Sequence, residues 1–250
     1  MSTGVLMYCF DTPDTNYHKL AERCVAQVKK HLQLEITIVT DIDTYKRFKT
    51  MGMINYKLVK AQTTNTRSYR GKKIAWYNKE RALAYEHSPY DTTILMDCDY
   101  FVFSSALLEL SKTKFDVLLH DKVKDLTGKG MILGNDESTL PLVWATVTLF
   151  RKSENAKAIF NLIKHIQEYY VHYKNLYRIK FANYRNDYAF AIALHQLNLG
   201  NTIPNSMGML ADDVDVIDSD SDGITFKYKN NVNFTSGLDV HIMDKEWCNG

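Results

Sequence analysis

The sequence predicts an α/β fold in one domain, and three observations predict it. Short apolar runs alternate with amphipathic helical stretches from the N-terminus onward. The first 41 residues read strand, helix, strand, which is how a parallel sheet begins. A length of 250 residues supplies one sizeable core, and neither an internal repeat nor a low-complexity linker divides it.

Each element has its own warrant. "GVLMYCF" is a short apolar run suited to a buried strand, and "YHKLAERCVAQVKKHL" puts Leu20, Cys24, Val28 and Leu32 on one helical face. "LEITIVTD" is β-branched and apolar until it stops at Asp41. "IAWYNKERALAYEHS" reads as a helix closed by Ser88-Pro89. "TTILMD", "FDVLLH" and "WATVTLFRKS" read as three further strands. "SENAKAIFNLIKHIQEYYVHY" follows as one long helix, and "RNDYAFAIALHQLN" as a shorter one ending at Gly200. The turn-rich C-terminal region holds two short strand candidates, "ITFKYK" and "DVHIM".

Composition is that of an ordinary soluble globular protein. No apolar run reaches the roughly 18 to 20 residues needed to span a bilayer, so no membrane partner is expected. The N-terminus lacks a basic stretch and meets Asp11 early, which argues against a signal peptide. Cys9, Cys24, Cys98 and Cys248 are scattered without a CxxC pair, which predicts free thiols in a reducing, cytoplasmic setting. The net charge of +2 hides a sorted distribution. Thr44 to Lys79 contains no acidic residue, nor does Tyr169 to Asn186, while the chain beyond Ala211 is acidic. Sorting of this kind points to a charged partner.

Asp97 and Asp99, in "TTILMDCDYFV", carry the chemistry. Ligands of open α/β sheets bind beyond the carboxyl ends of the strands, and Asp97 directly follows such a run. Residues i and i+2 of a strand point the same way, about 7 Å apart. A turn after the strand can bring both carboxylates onto one hard divalent ion. Two unpaired carboxylates between apolar runs would otherwise be costly.

The segment resembles the DxD element of GT-A fold glycosyltransferases, and the resemblance extends in order along most of the chain. Arg81, in "NKERAL", matches the arginine that precedes the DxD in glycogenin-like members. "IVTD" is similar to the strand whose end holds the uracil, "ATVTLFRKS" to the strand lining the sugar pocket, and "RNDYAFAIALH" to the segment whose aspartate faces the donor sugar. "VHIMDKEW" is similar to the family's histidine–lysine–tryptophan element. The resemblance implies a Rossmann-like GT-A domain over residues 1–250. Its nucleotide-binding half would span 1–110, and its acceptor half, with a metal-binding tail, 111–250. It implies a UDP-sugar donor held by Phe10, Asp11, Thr12, Asp41, Arg70, Lys73, Arg81, Asp97, Lys245 and Trp247. A Mn²⁺ or Mg²⁺ ion would lie on Asp97, Asp99 and His241, with Asp187 as the catalytic carboxylate. Asp187 also suits the N-cap of the helix after it. Three positions depart from the glycogenin-like pattern. No glycine lies between His241 and Lys245, no proline follows Lys245, and Tyr188 replaces a glutamine.

Two motifs fail. "DSDSDG", from Asp218, begins like a calcium loop but has Lys229 where a bidentate carboxylate is required, and reads as a solvated acidic turn. "GKG" at 128–130 is not a phosphate loop and reads as a loop near the site. "YYVHYKNLYRIKFANYR" interleaves aromatic rings with Lys174, Arg178, Lys180 and Arg185, which is the composition of a nucleic-acid groove. With the similarity of "WYNKERALAYEHSPYDTTILMDCDY" to compact phage-encoded transferases, this makes a hydroxymethylated cytosine in DNA the expected acceptor, in a host cytoplasm for a viral enzyme. Glycan, protein and small-molecule acceptors stay open. So do two other classes, a nucleotidyltransferase and a non-catalytic nucleic-acid-binding module.

Overall fold

A computed structural model describes every residue except 50–53, 62–64, 70–71, 78, 129–139, 141–142, 221, 246 and 248–250. β1 (Thr3–Tyr8) and β2 (Glu35–Thr40) flank α1 (Tyr17–His31), which buries Leu20, Cys24 and Val28 as its spacing predicts. Asp41 then caps α2 (Ile42–Tyr45), accepting from the Thr44 amide at 2.7 Å. β3 (Ile54–Leu58) is followed by a hairpin of β4 (Asn65–Tyr69) and β5 (Lys72–Trp76). A 3₁₀ turn (Glu80–Leu83) leads into α3 (Ala84–His87). Next come β6 (Thr92–Asp97), β7 (Tyr100–Phe101), α4 (Ala106–Ser111), β8 (Val117–His120) and β9 (Val123–Asp125). β10 (Trp144–Arg151) precedes α5 (Glu154–Glu168), α6 (Tyr170–Leu176) and α7 (Asn186–Leu197). Short strands complete the chain: β11 (Asn201–Thr202), β12 (Met207–Leu210), β13 (Asp215–Ser219), β14 (Gly223–Tyr228), β15 (Asn231–Ser236) and β16 (Val240–Ile242).

The central sheet is mixed, in the order β11-β8-β10-β6-β1-β2-β3. β6, β1, β2 and β3 run parallel, and β10 is antiparallel to both β6 and β8. Strand alternation splits its side chains between two cores. Val5, Met7, Ile36, Ile38, Ile94 and Met96 face the α1 side, whereas Leu6, Val39 and Leu95 face α5 and α7. A second sheet, β7-β16-β12-β9, abuts the carboxyl end of β6 and ties the C-terminal segment to the aspartate turn.

Four expectations change. The helix expected from Ile74 is a strand as far as Trp76, and helical structure starts only at Glu80, because β5 has a partner in β4 that local periodicity cannot reveal. The long helix from Glu154 breaks at Tyr169, so α5 and α6 are separate. Arg185, not Asp187, occupies the N-cap position of α7. The acidic turn is not purely solvated. Asp220 accepts from the Asp222 and Gly223 amides, and Gln27 and Lys30 of α1 bind Ser219 and Asp222. Residues 129–130 of "GKG" lie outside the described residues.

Candidate active site

β6 ends at Asp97, and the chain turns through Cys98 into β7. β16 lies antiparallel on β7 with His241 opposite Tyr100, and the Ile242 amide donates to the Asp99 carbonyl at 3.0 Å. This pairing gathers three side chains that the sequence keeps far apart. One ligand atom each from Asp97, Asp99 and His241 lies within 4.8 Å of the others. The Asp99 and His241 side chains are buried, and that of Asp97 is 37% exposed.

Two cations of the chain sit on these carboxylates. The Arg81 guanidinium donates to Asp97 and to the Ala145 carbonyl, while the Lys245 ammonium pairs with Asp99 and donates to the Ile242 carbonyl. His241 Nε2 lies 3.4 Å from Asp99 Oδ1. The two aspartates therefore diverge in acidity. Burial pushes Asp97 up to about 6, against the lowering pull of Arg81. Burial acts upward on Asp99 too, but Lys245 and His241 outweigh it and hold that carboxyl well below the usual range. The donor set of two carboxylates and one imidazole fits a divalent ion of the Mg²⁺ or Mn²⁺ kind. One observation supports the fit directly, since the buried Asp99 Oδ1 accepts no hydrogen bond from the described residues.

The cluster opens into a cavity of about 160 Å³. One wall is aromatic, with Phe10 at ring-centroid distances of 6.5 Å from Tyr8 and 5.7 Å from Tyr77. Trp144, Ala145, Thr146 and the start of α7 also line it. There Asp187 accepts from the Ala145 amide at 2.8 Å and pairs with Arg185 at 3.1 Å. Arg185 also lies over the Phe181 ring, 5.0 Å from its centroid.

Phe10, Arg81, Asp97, Asp99, Arg185, Asp187, His241 and Lys245 thus share one cavity. The remaining expected residues are not among its lining residues. Asp11 accepts from the His18 amide and pairs with the His18 ring and Arg47. Thr12 bonds to the Asp14 and Thr15 amides, and Asp41 caps α2. Lys73 is exposed, Trp247 lies under Arg23 and against Phe101, and Arg70 falls outside the described residues. Lys174, on α6, is half-buried, and Arg178 and Lys180 are exposed in the segment after α6. Tyr8, Glu80 and Trp144 line the cavity without having been singled out. Only Tyr8 left a signal, since it is two residues from Phe10 in the apolar run "GVLMYCF".

No protein-family profile matches the sequence, and no curated protein matches it by sequence. Solved structures do match in three dimensions. The galactosyltransferase LgtC, in complex with donor and acceptor sugar analogues, superposes with a TM-score of 0.50 at 13% identity, covering 80% of this chain and 72% of that one. Mouse xyloside xylosyltransferase 1 superposes with a TM-score of 0.50 at 10% identity, covering 81% and 85%. The architecture they share with this chain is the GT-A fold.

Proposed function

We propose that this chain is a metal-dependent glycosyltransferase that moves a sugar from a UDP-sugar to a hydroxyl group. The observation that carries the reading is the convergence of Asp97, Asp99 and His241 at the carboxyl end of β6, beside Arg81 and Lys245. Buried carboxylates matched to buried cations at the mouth of a cavity favour an enzyme over a non-catalytic binding module.

The roles follow from charge and position. A bound Mn²⁺ or Mg²⁺ ion would offset the negative charge that develops on the departing diphosphate. Arg81 fixes the Asp97 carboxylate, and its second contact to Ala145 locks its orientation. Lys245 supplies a further cation for the diphosphate. Phe10 and its aromatic neighbours offer flat apolar surface for the nucleoside, with residues 1–110 forming most of the donor side. Asp187, aimed by the Ala145 amide and Arg185, orients the acceptor hydroxyl or takes up its proton, and residues 111–250 form the acceptor side.

The acceptor we assign is a hydroxymethylated cytosine in DNA. Support comes from Arg178, Lys180 and Phe181, which are exposed along the segment leading to Arg185 at the cavity. A flipped base needs an aromatic-walled pocket next to a phosphate-binding track. Free, buried Cys9, Cys24 and Cys98 accord with a reducing, cytoplasmic setting. No helix among the described residues is long and apolar enough to cross a membrane.

The test combines purified protein, Mn²⁺ and a panel of nucleotide sugars, with and without DNA containing hydroxymethylcytosine. Nucleosides from the digested DNA are then weighed by mass spectrometry. A pentose or hexose added to the modified base establishes reaction and acceptor together. Release of UDP without a DNA adduct keeps the glycosyltransferase and moves the acceptor to a glycan, protein or small molecule. Release of pyrophosphate in a parallel reaction supplied with nucleoside triphosphates and sugar 1-phosphates overturns the reading in favour of a nucleotidyltransferase.

A further inference from the structure

Lys245 is one of the largest fully buried side chains of the described chain, and the only charged one among them. Its ammonium holds Asp99, which is also one of the three groups that fit a divalent ion. A doubly charged ion on Asp99 and an ammonium on the same carboxylate repel each other at close range in a buried site. Both cannot be held tightly at once.

Arg81 and Lys245 each share their charge between one of the two carboxylates and a backbone carbonyl, but their supports differ. Arg81 sits on the 3₁₀ turn that leads into α3. Lys245 instead follows β16 in a segment without helix or strand, on a long flexible stem. We infer that Lys245 is an exchangeable counter-ion. It neutralises Asp99 in the resting protein, suppresses metal binding there, and leaves Asp99 for the diphosphate when nucleotide and metal enter together. The inference rests on the proposed donor and metal, and it adds that metal and nucleotide bind as a coupled pair because one lysine serves two anions in turn.

The test measures Mn²⁺ affinity from the spin-resonance signal of the free ion, with and without UDP, in the wild type, Lys245→Met and Lys245→Gln. Glutamine keeps a hydrogen bond to Asp99 and covers the case in which the methionine variant fails to fold. Without UDP, the folded variants are expected to bind Mn²⁺ about tenfold or more tightly than the wild type. The gain that UDP brings to Mn²⁺ affinity shrinks by a similar factor. Mn²⁺ binding no tighter than wild type in a folded variant overturns the inference.

A second readout needs no variant. Saturating Mn²⁺ alone should expose Lys245 of the wild type to acetylation, followed by peptide mass spectrometry, and added UDP should restore protection. Unchanged protection under saturating Mn²⁺ also overturns the inference. Failure of the wild type to bind Mn²⁺ even with UDP would instead sink the proposed metal dependence itself.

Discussion

Asp99 and His120 are both buried, yet they carry opposite lessons about charge. Asp99 stays ionised because the Lys245 ammonium and the His241 ring face it, whereas His120 has a backbone carbonyl, that of Asn205, at 3.0 Å from Nδ1. Replacing Asp99 with Asn keeps the shape and a hydrogen-bond acceptor for Lys245 but removes the charge a metal needs. Transfer is expected to fall by about a thousandfold with the circular dichroism spectrum retained. Full transfer by this variant with the metal chelated would refute the mechanism. Burial lowers His120 from 6.5 to about 4, with the Asn205 bond and Asp121 only partly offsetting it. Between those values the unfolded chain binds the extra proton and the folded chain does not. His120 therefore contributes stability above about pH 6.5 that is lost as pH falls toward 4, on the order of 3 kcal/mol. Asp97 works in the opposite direction over part of the same range, since burial raises it from 3.8 to about 6 and favours the folded state at low pH. The check is consequently a difference. Urea unfolding of the wild type and His120→Gln should show the wild type losing stability relative to the variant from pH 6.5 to 4, and parallel curves would refute the assignment.

At the scale of elements, β1 is the strand on which the site depends, because it pairs with both β2 and β6 and carries Tyr8 toward the cavity. Its packing has one tight point. A Cβ on Gly4 would come within 2.4 Å of the Tyr90 ring, and the Tyr90 hydroxyl is tied to Thr37 at 2.8 Å, so the ring has little freedom to retreat. Gly4→Ala is expected to cost about 1–3 kcal/mol, and Tyr90→Leu in the same chain should recover part of that loss. Strict additivity of the two substitutions in thermal unfolding would show that the ring is not what excludes the side chain. This tightness was not legible in the sequence, although the strand itself was. Continuous apolar runs such as "TTILM" announce buried strands whatever surrounds them. "IAWYNKERAL" fits a helix or a strand equally well until β4 is known to lie beside Ile74 and Ala75. The site divides the same way. Asp97, Asp99, Arg81, His241 and Lys245 fall in short linear motifs, whereas Tyr77 and Trp144 reach the cavity only through the hairpin and the antiparallel β10.

For the whole molecule, the sorted charge finds a partial structural explanation. Tyr170, Tyr173 and Tyr184 are core residues, so half of the aromatic interleaving that first signalled a nucleic-acid groove serves packing instead. What stays outside is a shorter track. Arg178 and Lys180 are exposed, Tyr169 is 50% exposed, Phe181 is 43% exposed, and Arg185 joins them to the cavity. A track of this length neutralises few phosphates, so its electrostatic signature is modest but measurable. The logarithm of DNA affinity should fall linearly with the logarithm of salt concentration, at about −0.9 per phosphate contacted. Replacing Arg178 and Lys180 together with glutamine should flatten that slope by roughly 1.8 if each side chain neutralises one phosphate. The measurement is fluorescence anisotropy of a labelled hydroxymethylcytosine duplex across a salt series. A wild-type slope near zero would mean that the basic track meets no phosphates, and the acceptor would then be a glycan, protein or small molecule. A steep wild-type slope unchanged in the double variant would place the DNA on the other acid-free stretch, Thr44 to Lys79.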